Sequence, residues 1–177
     1  MMKKAVVIIC LTLAATVLIC GFPLMYFYYS GILKNVADFS ACEDEFEAVK
    51  DYVYNSEYAS GDILGIDYNL ELQRYRVFSI KRNTYDNISD ELSDIIRKIK
   101  NDAFKSKDAH WNTIRIYDDC IVFVIDTGEY ALVYSPGGTP SADLLPLRAN
   151  ENKSVRVKKA KGSWYHLIKV NRFLPLL

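Results

Sequence analysis

Motifs that carry metal or nucleophilic chemistry are scarce in this sequence. Its only histidines are His110 and His166, and their spacing does not match the His-Glu-x-x-His pattern of a zinc helix. Cys-x-x-C is absent, which leaves zinc-ribbon and thioredoxin-type chemistry without support. Gly137-Gly138 lacks the Gly-Lys-Ser/Thr of a phosphate loop and predicts a turn. We therefore expect no metal ion and no cofactor.

Charge is missing from one long stretch near the start of the chain. No charged residue lies between Ala5 and Tyr29, and the stretch follows Lys3 and Lys4 directly. A helix of this length is longer than the roughly 30 Å hydrocarbon core of a bilayer. The pattern predicts a transmembrane signal-anchor helix over residues 5–29, in contact with membrane lipid. Residues 1–4 form a short N-terminus, and residues 30–177 form a separate domain.

The charges that flank the apolar run predict its orientation. Lysines precede it, whereas Lys34 is the only cation close behind it. The positive-inside bias then places the N-terminus in the cytoplasm and the C-terminal domain outside the cytoplasm. Cleavage after Ala14 or Ala15, lipidation at Cys20 and a buried soluble helix are the alternatives to an uncleaved anchor. Each fits less well, because the apolar core before Ala14 is short, Ile19 is large, and the run has no polar stripe.

Net charge is zero, but the charges are segregated along the chain. Residues 38–80 hold ten acidic and three basic side chains, whereas residues 148–172 hold eight basic and one acidic. Two solvated faces that neutralise each other would explain this distribution. Alternatively, the basic segment forms a surface that contacts anionic lipid headgroups or an acidic envelope polymer. The candidate contact residues are Arg156, Lys158, Lys159 and Lys161. A neutral exported domain is not expected to bind nucleic acid.

Cys42 and Cys120 are the two cysteines outside the apolar run. In an exported domain they are candidates for a disulfide, which would stabilise the fold by about 4 kcal/mol in the chain-entropy model. Two separate buried thiols are an equally good interpretation, because unbonded cysteine is among the most buried residue types.

Hydrophobic periodicity predicts an α+β domain with an antiparallel sheet packed against two helices. Apolar residues spaced by three and four predict the first helix over residues 36–53 and the second over residues 88–99, with Asn87 as its cap. Alternation from Leu64 reverses phase near Gln73-Arg74, which indicates a bulge or hairpin. The remaining predicted strands are Thr113–Tyr117, Cys120–Ile125 and Tyr130–Ser135 in a meander, then Val155–Val157 and Trp164–Val170 in a hairpin.

Asp126-Thr127-Gly128 is the motif with the clearest catalytic interpretation. Aspartic proteases present a carboxylate on such a loop after an apolar strand, but they need two loops that face each other. This chain has no second copy, and a glycine between two strands is ordinary hairpin chemistry. We therefore predict an interaction module at the cell envelope, with a protein or an anionic envelope component as its partner. The alternative is a membrane-anchored hydrolase that uses Asp126 or a histidine.

Overall fold

The computed structural model describes residues 38–104, 111–145, 147 and 151–171, all within one compact unit, Asn35–Leu177. The predicted membrane segment, residues 5–29, lies outside the described residues, and so does His110. Within the described ranges, no helix combines the length and hydropathy needed to cross a membrane.

The domain is an α+β fold built on an eight-stranded antiparallel sheet. Along the sheet the strand order is β3-β2-β1-β4-β5-β6-β8-β7, so β3 and β7 are its terminal strands among those described. The strands are β1 Ile63–Asn69, β2 Arg74–Ser79, β3 Thr84–Asn87, β4 Trp111–Ile116, β5 Ile121–Ile125, β6 Tyr130–Tyr134, β7 Lys153–Lys161 and β8 Trp164–Asn171. The α+β class predicted from periodicity is thereby confirmed.

Two helices pack on the sheet, α1 over Glu43–Asn55 and α2 over Asp90–Lys98. A short 3-10 turn, Phe39–Ala41, precedes α1, and a π-helical turn, Ile99–Ala103, extends α2. The cap of α2 is Ser89, whose Oγ accepts a hydrogen bond from the backbone N–H of Leu92 (3.2 Å). The prediction of Asn87 as the cap was therefore wrong, because that residue ends β3 and pairs with Arg76 of β2.

The sheet buries side chains on both of its faces. In β5, Ile121, Phe123 and Ile125 belong to a core that includes the apolar stripes of both helices. Val122 and Val124, which alternate with them, belong to a second core with side chains of β6 and β8. We call the helix-covered side the first face and the other the second face. Because both faces are buried here, β5 reads as a continuous apolar run.

Several connections agree with the predictions, and one strand was missed. The meander β4–β5–β6 and the hairpin β7–β8 are confirmed. The phase reversal near Gln73 is a hairpin turn between β1 and β2, in which Gln73 has a positive φ of 52°. One helical turn, Asp126–Glu129, connects β5 to β6, and Gly128 has a φ of 77° there. Strand β3 was not predicted, because its mostly exposed residues show no apolar alternation.

Cys42 and Cys120 are both free and buried. Cys42 belongs to the core on the first face, whereas Cys120 belongs to the core on the second face. Because the sheet lies between them, the disulfide considered from the sequence is not formed, and the alternative of two separate thiols describes the structure. Burial raises the pKa of both thiols, that of Cys120 to about 12, so both are protonated at neutral pH.

Candidate interaction surface

The terminal strand β7 carries most of the basic cluster singled out in the sequence. It pairs with β8 along its whole length, and β8 pairs on its other side with β6. As the last described strand of the sheet, β7 has one edge without a strand partner among the described residues. The backbone groups of such an edge are donors and acceptors available for pairing. The cations of β7 therefore lie along an edge rather than on a flat sheet face.

Strand alternation divides the predicted basic patch between the two faces of the sheet. Arg156 pairs with Ile168 of β8, and Lys158 pairs with His166 of β8. The residues of β6 that pair with these two β8 residues belong to the first-face core, so Arg156 and Lys158 lie on the first face. Lys159 pairs with Tyr165, a second-face residue. The register shifts between Lys159 and Lys161, which marks a bulge. The four predicted contact residues consequently do not form one surface on one side.

Ion pairing separates these cations further. The Nζ atom of Lys161 lies 2.6 Å from Glu43 at the start of α1, and that of Lys153 lies 2.6 Å from Glu129. The hydrogen bond to Glu43 raises the pKa of Lys161. In contrast, Arg156, Lys158 and Lys159 form no ion pair with any described carboxylate. These three residues, which we call the unpaired cations of β7, leave a local excess of positive charge.

The second-face side of β7 is apolar between its cations. Val155 and Val157 are partly buried and pack against the second-face core. In the register they pair with Lys169 and Leu167 of β8. Lys169 is buried and its Nζ lies 3.2 Å from Glu151, so its charge is compensated within the domain. No local pattern in the sequence predicts this ion pair. The edge thus presents Arg156 and Lys158 towards the first face, and Val155, Val157 and Lys159 towards the second.

His166 is the only described histidine, and its side chain contacts Tyr130. Its Nδ1 lies 2.7 Å from the hydroxyl of Tyr130, and the two rings stack at 5.8 Å between centroids. Burial, with a smaller contribution from Lys158, lowers the pKa of His166 to about 4. The imidazole is therefore neutral at physiological pH, and Tyr130 fixes its orientation.

The other catalytic candidates lie outside what the structure describes. Asp126 is described in its backbone only, and His110 is outside the described residues. Among the described side chains, no cluster of three or more histidine, cysteine, aspartate or glutamate residues could hold a metal ion. A groove of about 390 Å³ between α1 and α2 is open to solvent and is lined by Asp51, Tyr52, Ser89 and Glu91 among others. None of these arrangements defines a catalytic centre.

A second candidate surface consists of exposed apolar side chains and was not predicted from the sequence. Leu70 is 82% exposed at the tip of the β1–β2 hairpin, with Tyr68 and Leu72 beside it also exposed. The side chain of Asn69 accepts hydrogen bonds from the backbone N–H groups of Glu71 and Leu72, which fixes the turn. Isolated exposed leucines at a turn are common on protein surfaces, so this tip is a weaker candidate than β7.

Comparison with protein-family models, curated proteins and solved structures found no match to this chain. The functional interpretation therefore depends on the residues themselves.

Proposed function

We propose that this chain is a single-pass membrane protein whose exported α+β domain binds an anionic partner at the cell envelope. The observation that carries the proposal is the set of unpaired cations on β7. Elsewhere in the described part of the domain, the buried Lys169 and the half-buried Lys50 have carboxylate partners, whereas the half-buried Arg74 and Arg115, each on a different strand, do not. Arg156, Lys158 and Lys159 lie together on one terminal strand and have no carboxylate partner among the described residues. A local excess of positive charge along one strand attracts an anionic ligand and increases its association rate.

The membrane assignment is supported by the uncharged run from Ala5 to Tyr29 and by the lysines before it. Protease added to intact cells that produce the chain should remove the domain and leave the membrane segment. Full protection of the domain would contradict the proposed orientation. Recovery of a soluble product that begins after residue 20 would contradict the uncleaved anchor.

Binding of a simple polyanion tests the proposed site. Fluorescent poly-L-glutamate is titrated into the full chain, purified in a nonionic detergent, and binding is followed by anisotropy. We expect the triple variant Arg156→Gln/Lys158→Gln/Lys159→Gln to bind about tenfold more weakly or worse, which corresponds to about 1.4 kcal/mol. Binding to the unmodified chain should also weaken as salt increases, because the attraction is between exposed charges.

The ion pairs of β7 supply a matched control. Lys158 and Lys161 are both exposed lysines of this strand, but only Lys161 is paired with a carboxylate, that of Glu43. Lys158→Gln should weaken binding of poly-L-glutamate more than Lys161→Gln does. Equal effects would mean that the polymer responds to net charge alone, and the proposed site would be wrong.

A further inference from the structure

We infer that the partner binds by strand addition, as an extended peptide in which acidic and apolar residues alternate, paired along the edge of β7 that has no strand partner in the described part of the chain. The inference rests on the proposed function and specifies its ligand. Three independent features of the edge support it: its length, its charge and its alternation.

The first feature is the length of the edge. Before the register shift, β7 pairs regularly with β8 from Lys153 to Lys159. At about 3.3 Å per residue, this stretch is long enough for several main-chain hydrogen bonds on its other side. Only another backbone offers N–H and C=O groups at the matching spacing, so a peptide satisfies this edge better than a lipid headgroup or a sugar polymer does.

The second feature is the alternation of side chains, which determines the composition of the partner. A strand beside β7 places every second side chain next to Arg156 and Lys158 on the first face. The intervening side chains lie next to Val155 and Val157 on the second face, where they extend the apolar core. Acidic residues suit the first position and apolar residues the second. Opposite charges across a strand pair are stabilising, whereas like charges are destabilising.

The third feature is the charge of the edge, which disfavours a second copy of this chain as its occupant. Two β7 strands side by side would lie about 5 Å apart, which would bring the unpaired cations of both chains close together. Lysines and bulges on an edge are devices that prevent such self-association. Here the lysines discourage a second copy and favour an acidic strand, so the same residues provide specificity against one partner and for another.

The test compares two peptides that differ only in their backbone. The first is an acetylated and amidated octapeptide of alternating Glu and Val, and the second has the same sequence with every amide N-methylated. Both carry the same charges, but the second cannot donate main-chain hydrogen bonds. We expect the full chain in detergent to bind the first at least about tenfold more tightly. We also expect the variant Arg156→Gln/Lys158→Gln/Lys159→Gln to lose most of that binding.

The possible failures are distinguishable. If the N-methylated peptide binds as tightly as the unmodified one, strand addition is wrong while binding of anions by β7 stands. The same conclusion follows if poly-L-glutamate binds and the alternating peptide does not. If neither peptide nor poly-L-glutamate binds, both the inference and the proposed function are wrong.

Discussion

The two terminal strands of the sheet protect their edges in different ways. Strand β3 has only four residues, Thr84–Asn87, and offers little backbone for pairing. Its Asp86 accepts a hydrogen bond from Tyr58 (3.2 Å) and lies 3.4 Å from Arg82. Strand β7 has nine residues and carries cations without carboxylate partners among the described residues. A short edge strand avoids unwanted pairing because it offers too little backbone. A long edge strand can avoid it by charge and still has enough backbone to pair with another strand.

The side chains that flank the two edges also differ. Near β7, the valines continue the buried second-face core to the last strand. Near β3, the same face ends in Tyr85, which is 57% exposed and packs against Phe78 and Arg76. An added strand would therefore extend a core at β7, whereas at β3 it would meet a strand too short to hold it. This difference is why we propose β7, rather than β3, as the interaction surface.

Substitutions at the centre of the sheet should destabilise the domain more than substitutions at either edge do. Phe123 is fully buried and its ring lies 5.6 Å from that of Trp164 and 6.0 Å from that of Phe46. Phe123→Ala should cost about 3–5 kcal/mol, because it leaves a cavity between the sheet and α1. Urea unfolding measures this loss, and Lys159→Ala at the edge is the control, with an expected change below about 0.5 kcal/mol. Similar losses for both would mean that the edge is structural.

Acid should destabilise the domain through His166, which is the neighbour of Lys158 in the register. Its pKa is about 4 in the folded domain, against an ordinary value of 6.5. Between these two pH values the unfolded chain binds more protons than the folded domain does. The stabilisation that comes from the neutral His166 is therefore complete above pH 6.5 and is lost as pH falls towards 4. The loss should reach roughly 3 kcal/mol at most. Unfolding curves measured from pH 7 to 4 should show this slope, and His166→Gln should reduce it. An unchanged slope in that variant would assign the pH dependence to other groups.

Removal of the unpaired cations should turn β7 into a self-associating edge. We expect the variant Arg156→Thr/Lys158→Thr/Lys159→Thr to form dimers, while its unfolding free energy changes by less than about 1 kcal/mol. Light scattering after size exclusion, in the same detergent, measures the oligomeric state. As a control at the other edge, the variant Tyr85→Thr/Asn87→Thr should have the same oligomeric state as the unmodified chain. If the β3 variant associates as strongly, the contrast between the two edges is wrong.

Much of the fold could be predicted from local patterns. Apolar alternation located the meander and the last hairpin, and the spacing of apolar residues located both helices. Strand β3 could not be predicted this way, since its burial pattern has no alternation. The cap of α2 was misassigned because Asn87 and Ser89 both have capping side chains, and only the end of β3 decides between them.

The candidate surface was harder to predict, because it depends on contacts between distant parts of the chain. Lys161 is paired with Glu43, 118 residues away in sequence, so its neutralisation has no local signal. The adjacency of β6 to β8, which leaves β7 terminal, is likewise a long-range feature. The division of Lys158 and Lys159 between two faces did have a signal, since adjacent residues of a strand point to opposite sides.

Hydrogen exchange distinguishes strand addition at β7 from a general effect of the peptide on both terminal strands. The full chain is exchanged in detergent with and without the alternating Glu and Val octapeptide, and deuterium uptake is compared for residues 153–159 and 84–87. We predict that the peptide slows exchange along β7 and leaves exchange along β3 unchanged, because added main-chain hydrogen bonds protect only the edge that accepts the strand. Unchanged exchange along β7 in the presence of bound peptide, or equal protection of both edges, would contradict this prediction.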